Sequence, residues 1–199
     1  MIRPGSQAGE RRSGVVIPLA LDETRLIARI VDRDLRAFEQ LYRIYQPRLS
    51  RFLINILRRP HLVEEALNDT LMVVWKRPEA FNGTSKVSTW IFAIAYRTAL
   101  KALHRHDEPL ADPTDEPPAE QPGPEQHRSD DETRAALMHA LDMLSREQRS
   151  VLVLTYFHEL PYAEIAQIMS CPVDTVKTRV FHARRRLRAL LSGELGDWL

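Results

Sequence analysis

Between Asp174 and Leu191 the chain places Lys177, Arg179, Arg184, Arg185, Arg186 and Arg188 within a short span. At 100° per residue, Val176, Val180, Ala183, Leu187, Leu190 and Leu191 fall on one helical face, an apolar stripe for a core. Thr178, Phe181, His182 and Arg185 lie opposite, with Lys177 and Arg188 near that edge and Arg179, Arg184 and Arg186 on the flanks. Such a helix suits a DNA groove: central polar groups meet base edges while flanking guanidinium groups hold phosphates. Phe181 admits two roles, contact with a thymine methyl or sugar edge, or packing against a neighbouring helix. The arginines likewise suit phosphates or a solvated helix end that complements the macrodipole.

Two further segments carry binding chemistry. Over residues 88–106, Phe92, Ala95, Tyr96, Ala99 and Leu103 share a core face, and Trp90, Ile94, Arg97, Lys101, His104 and Arg105 gather on the other. An aromatic ring followed by a basic stripe fits single-stranded DNA, the ring stacking on a base and the cations following the backbone. An ordinary core tryptophan above a solvated basic face fits the same pattern. Over residues 62–76, Val63, Ala66, Leu67, Thr70, Leu71 and Val74 form a buried stripe. Glu65, Asp69, Met72 and Lys76 occupy the outer face, bordered by Asn68 and Trp75, a mixture that fits docking of a basic partner helix or a plain surface.

The elements that must position these groups read as helices throughout. Phe38, Leu41, Tyr42, Tyr45, Leu49, Phe52, Leu53 and Ile56 keep three- and four-residue spacing, with Pro47 expected to kink or split the helix and Pro60 to end it. A helix is expected over about 62–76, before Pro78, and another from Ser88 or Thr89, either of which could cap it. Ser145 with Gln148 predicts a capping box opening a helix to about His158. Pro161 should start a short helix to Met169, Cys171 and Pro172 should make a turn, and the last helix should run over 174–191. Two helices joined by a short turn, the second basic, predict a helix-turn-helix.

The net charge of +1 averages two basic flanks and an acidic middle. Between Asp107 and Glu132 the only basic residue is Arg128, and six prolines lie between Pro109 and Pro124. The predicted architecture is therefore all-α: a disordered tail over 1–20, a helical domain over 21–106, a flexible acidic Pro-rich linker over 107–130 and a helix-turn-helix domain over 131–192. No apolar run approaches the ~20 residues that span a bilayer. The segment 15–21 holds Pro18 and lacks a cleavage pattern, so no signal peptide or membrane insertion is expected. The single cysteine, Cys171, suits a reducing cytoplasm and reads as a small turn residue. The seven histidines are scattered, and no glycine-rich phosphate loop or nucleophile elbow is present, so no enzyme, cofactor or metal is expected.

In this order the segments resemble the extracytoplasmic-function group of sigma factors of bacterial RNA polymerase. The resemblance rests on Glu64-Glu65-Ala66-Leu67-Asn68-Asp69 running to Trp75, and on Phe81-Asn82-Gly83 with Ser88-Thr89-Trp90-Ile91-Phe92-Ala93-Ile94-Ala95. It continues through Pro161-Tyr162-Ala163-Glu164-Ile165-Ala166, then Cys171 to Arg179 and Ala183-Arg184. It implies that the first domain binds core RNA polymerase through Glu65, Asn68, Asp69 and Met72. It implies that Asn82, Gly83, Ser85, Lys86, Ser88, Thr89, Trp90, Arg97 and Lys101 open the minus-ten element and hold a flipped base. Thr175, Lys177, Thr178, Arg179, Phe181, His182, Arg184 and Arg185 would read the minus-thirty-five element of promoter DNA. The family also implies an anti-sigma partner and a stress or envelope regulon. Many members carry Asn where this chain has Arg97 and Arg where it has His182, which leaves its preferred bases open. A stand-alone helix-turn-helix regulator would account for residues 133–191, but not for the Trp90 stripe or the Glu65 face.

Overall fold

A computed structural model describes residues 22–107 and 136–194; the tail over 1–20 and all of the acidic linker but its first residue lie outside them. Every regular element among the described residues is helical. The first unit comprises α1 (Glu23–Val31), α2 (Leu35–Leu57), α3 (Pro60–Lys76), a 3-10 turn at Pro78–Ala80 and α4 (Val87–Asp107). The second comprises α5 (residues 136–142), α6 (Arg146–Leu152), a π-helical turn at Val153–Phe157, α7 (Tyr162–Met169) and α8 (Val173–Glu194). No described helix is long and apolar enough to cross a membrane.

Local chemistry sets most of these boundaries. Asp34 caps α2 by accepting from the Arg36 and Ala37 backbone amides, and it accepts from Arg29 at 2.6 Å. These bonds, Arg29 first, lower the Asp34 pKa. Ser145 and Gln148 form the expected capping box, each side chain bonding the other's backbone N–H. Pro60 and Pro161 stand at helix starts, where a missing N–H costs little. Pro47, by contrast, neither splits nor ends α2. Tyr45 and Leu49 on either side are fully buried, so the packed face carries the helix past the one missing hydrogen bond.

Two further expectations are corrected. α4 begins at Val87, with the Trp90 amide bonded to the Lys86 carbonyl, so Ser88 and Thr89 lie inside its first turn and cap nothing. The helix opened by Ser145 does not stay α-helical to His158. It widens into the π turn, where the His158 amide reaches back five residues to the Val153 carbonyl at 3.2 Å.

The two units pack against each other. Leu41, Phe52, Ile91 and Phe92 of the first unit join Leu154, Ile165, Ile168 and Val176 of the second in one buried cluster. A smaller cluster of Leu141, Leu144, Leu152 and Ala183, with Leu187 against it, belongs to the second unit alone. α4 is the shared wall: it packs on α2 and α3 and also on α7. Ile94, expected outward beside Trp90, is therefore buried, because three helices surround α4 and leave few of its residues to water.

Candidate nucleic-acid interface

The helix-turn-helix forms as its residue types require. α7 ends at Ser170 in a left-handed conformation (φ 51°), and the Cys171 amide closes the turn on the Ala166 carbonyl at 3.0 Å. α8 then starts beyond Pro172, with Asp174 in its first turn complementing the helix dipole. Val176, Val180 and Ala183 are buried, and Leu187, Leu190 and Leu191 are half-buried, so the stripe is seated as its spacing indicated.

The opposite face of α8 is open. Lys177, Thr178, Phe181, His182, Arg184 and Arg185 are exposed, while Thr175 and Arg179 are half-buried. Phe181 is 61% exposed and its ring leans on His182 at 5.4 Å between centroids, so it does not pack on a neighbouring helix. Lys177 bonds Asp174 at 3.0 Å, and the Thr178 hydroxyl donates to the Asp174 carbonyl at 2.9 Å. Arg179 points Nη1 toward Cys171 Sγ at 3.7 Å, which holds that guanidinium at the turn rather than on the open face. An exposed aromatic among cations on one helical face can meet a duplex groove with both apolar and charged contacts.

The loop before α4 is shaped by Asn82, whose side-chain oxygen accepts from the Thr84 amide and hydroxyl at 3.1 and 2.7 Å. Gly83 has φ 73°, a left-handed conformation that glycine takes without strain. Phe81 and Trp90 form a tilted pair, 5.4 Å between ring centroids, with both half-buried. Asn82, Gly83, Lys86, Arg97 and Lys101 are exposed and Ser85 is half-buried. Ser88 and Thr89 are buried at 9% and 2% exposure, so in this arrangement neither can touch DNA. Thr89 instead donates to the Glu164 carboxylate of α7 at 2.8 Å, and Lys86 pairs with the same group at 2.6 Å.

On α3, Asn68, Asp69 and Met72 are exposed together, as the outer-face reading required. Glu65 is half-buried and accepts from Arg105 of α4 at 2.6 Å. Asp69, Met72, Val73 and Lys76 of α3 line one open cleft with Arg77 and with Thr98 and Lys101 of α4. The proposed docking face and the end of the basic stripe are thus neighbours.

The residues that sequence reasoning missed hold the two units together. Arg58, left-handed at the end of α2 (φ 62°), pairs with Asp142, which also lies 3.6 Å from Arg149. Burial, then the Arg149 cation, pulls the Arg58 pKa down to about 10. His158 packs edge-on against Phe92 and Phe52, with centroids 4.7 and 6.1 Å away. Burial, then the Arg48 and Arg51 cations, pushes its pKa to about 4, so it is neutral at pH 7. Glu164 stood in a quoted motif, but nothing local placed it against Thr89, 75 residues earlier. Among the described residues no group of side chains is arranged to hold a metal ion.

Comparison with known proteins agrees with this geometry. The family model for sigma-70 region 2 matches residues 41–108, and that for sigma-70, region 4 matches residues 134–187. The RNA polymerase sigma-H factor of Pseudomonas aeruginosa is 27% identical over 176 residues, covering 83% of this chain and 91% of that protein. The ECF RNA polymerase sigma factor RpoE of Cereibacter sphaeroides is 27% identical, covering 80% of this chain and 89% of that one. Among solved structures, RpoE of Bartonella quintana in complex with the anti-sigma factor NepR is similar with a TM-score of 0.60 and 26% identity, covering 78% of this chain and 96% of that one. CnrH in complex with the cytosolic domain of CnrY shares the fold, with a TM-score of 0.65 at 22% identity over 86% of this chain and 97% of that one.

Proposed function

The chain belongs to the sigma-70 family, in its extracytoplasmic-function group, and on that footing we propose how its residues divide the work of initiation. As a sigma factor it binds core RNA polymerase and directs it to promoters. In our assignment the exposed face of α3, with Asn68, Asp69 and Met72 at its centre and Glu65 at its edge, docks the polymerase. The loop 82–86 and the start of α4 take the minus-ten element as single-stranded DNA: the Phe81–Trp90 pair offers an aromatic surface, and Lys86, Arg97 and Lys101 follow the backbone. Opening the duplex lets a base be read on the edge that pairing hides.

α8 reads the minus-thirty-five element as duplex. Lys177, Thr178, Phe181 and His182 meet base edges with Arg185 on the same face, while Arg184 and Arg186 on the flank meet phosphates, with Thr175 and Arg179 nearer the turn. The observation that carries this reading is the open face of α8, where a 61%-exposed Phe181 stands among cations. The solved relative RpoE is held by an anti-sigma factor, and we extend that kind of partner to this chain. The setting that these roles require is the cytoplasm, where core polymerase and chromosomal DNA meet.

The test is transcription by core polymerase with this chain, on a library randomised at both promoter elements. Selection of one sequence at each element is expected. Transcription without selection at either element would overturn the assignment. DNA binding by the chain alone, equal with and without polymerase, would favour the stand-alone regulator.

A further inference from the structure

Between α1 and α2, Arg33 takes a left-handed conformation (φ 63°), which residues with side chains seldom adopt and glycine adopts freely. Its amide bonds the Ile30 carbonyl at 2.9 Å, and the Asp34 amide bonds the Arg29 carbonyl at 3.0 Å, so the turn is fixed on both sides. From there the side chain crosses to the end of α3. Its Nη1 donates to the Trp75 carbonyl at 2.8 Å, and the guanidinium lies 5.7 Å from the centre of the Trp75 ring. The same ring leans on Phe38 of α2, 5.0 Å between centroids.

Trp75 stands in the last turn of α3, where carbonyls lack a partner within the helix. A cation placed there also complements the helix dipole. Beyond Trp75 the chain reaches the loop assigned to minus-ten DNA through successive hydrogen bonds. The Arg77 amide bonds the Val73 carbonyl at 2.9 Å, the Ala80 amide the Arg77 carbonyl at 3.1 Å, and the Phe81 amide the Pro78 carbonyl at 3.1 Å. Pro78 is buried, and the turn it opens packs on α1. Phe81 then meets Trp90, and Asn82 shapes the loop.

We propose that Arg33 is a positioning residue for the minus-ten loop: it fixes where α3 ends, and so where Phe81, Asn82 and Gly83 stand when DNA arrives. Glycine would suit the backbone of this turn better, so the arginine is explained by what its side chain reaches. Arg33 is exposed and touches α3 at the surface, so removing its side chain leaves the core intact and loosens the loop. A loop already held in its binding geometry gives up less freedom when it captures a base, which sharpens the choice of that base. The inference rests on the assignment of the loop 82–86 and the start of α4 to minus-ten DNA.

The experiment uses the full-length chain with core polymerase, as wild type, Arg33→Gly, Arg33→Lys and Arg33→Met. Arg33→Gly relieves the left-handed backbone while removing the side chain, so it separates the turn from the reach. It should unfold at or above the wild-type temperature, recover polymerase equally and keep the wild-type minus-thirty-five preference. On a promoter library randomised at the minus-ten element, its preference for the selected sequence over single-base variants should fall about tenfold, the contribution of one charge-assisted hydrogen bond. Hydrogen exchange at the amides of residues 80–86 should quicken in step. Arg33→Lys keeps a cation and a donor and should restore most of the selection. Arg33→Met keeps the stem without a donor; it should select as poorly as Arg33→Gly, and it decides the matter if Arg33→Gly loses helicity. A purely structural role predicts a stabler Arg33→Gly protein that selects as wild type does, and that result, with unchanged exchange, would overturn the inference alone. Equal loss of selection at both promoter elements would overturn it as well, since the loop would not be what had changed. Absence of minus-ten selection by wild type would remove the loop assignment and this inference with it.

Discussion

Arg105 Nη2 lies 2.6 Å from Glu65 Oε1, so the basic end of α4 is tied to the acidic face of α3. The two side chains are about half exposed, and such a pair contributes roughly 0–1 kcal/mol. Glu65 thus belongs to the scaffold of the proposed docking face as well as to its surface.

Asp69 and Met72 are the cleaner probes of that face. Asp69→Arg should weaken recovery of core polymerase with the tagged chain and leave helicity unchanged. Glu65→Gln should lower stability by at most ~1 kcal/mol and weaken recovery less. Pull-down with purified polymerase, alongside circular dichroism, checks both; equal recovery for Asp69→Arg and wild type would remove α3 from the interface.

The proposed recognition helix, α8, separates attraction from reading. Arg184→Ala should weaken binding to all promoters similarly and flatten its salt dependence, since a phosphate contact releases counterions without reading sequence. Phe181→Ala or Lys177→Ala should change the preferred upstream sequence, by roughly 1–3 kcal/mol per lost base contact. Transcription from a library randomised upstream measures both. Uniform loss in all three variants, with no change of preference, would contradict the placement of these residues. Val180→Asp is the control: Val180 is buried in the α8 stripe, and an uncompensated charge there should cost about 3–5 kcal/mol and unfold the second unit.

Stability should fall in mild acid through His158. Its pKa drops from near 6.5 to about 4 on folding, so the unfolded chain binds the proton more readily. The favourable contribution is complete above pH 6.5 and is lost as pH falls toward 4. His158 is partly exposed, so solvent screening reduces the effect to about 1 kcal/mol. Urea denaturation at pH 7 and pH 4.5 should show a smaller difference for His158→Gln than for wild type, by about that amount. Equal pH dependence in the two proteins would exclude His158 as the titrating group.

Ser145→Ala should lower stability by about 1 kcal/mol, because it removes half of the reciprocal bonding at the start of α6. Thermal unfolding reads this directly. The loss should appear without any change in promoter preference, since Ser145 lies outside the proposed DNA face.

What the chain announces locally, the structure repeats. The α3 stripe from Val63 to Val74 and the α8 stripe from Val176 to Ala183 are visible at helical spacing because one side of each helix is solvated. α4 hides its arrangement for the opposite reason. With α2, α3 and α7 around it, Ile91, Ala93 and Ile94 are buried along with Phe92 and Ala95, and periodicity no longer tells one wall from another. The exposed residues of the proposed DNA faces were legible from charge and from Phe181. The burial of Ser88 and Thr89 was not, because it depends on Glu164 arriving from a distant helix. Pro47 leaves α2 unsplit for a similar reason, since buried neighbours outweigh one lost backbone bond.

The double duty of α4 carries a thermal consequence. Were α7 to leave α4, the apolar groups packed between the units, Phe92 and Ile165 among them, would meet water. Hydrating apolar surface raises heat capacity, so the balance between joined and parted forms must curve with temperature rather than follow a straight van't Hoff line. The joined form is favoured most at an intermediate temperature and loses ground on both cooling and heating.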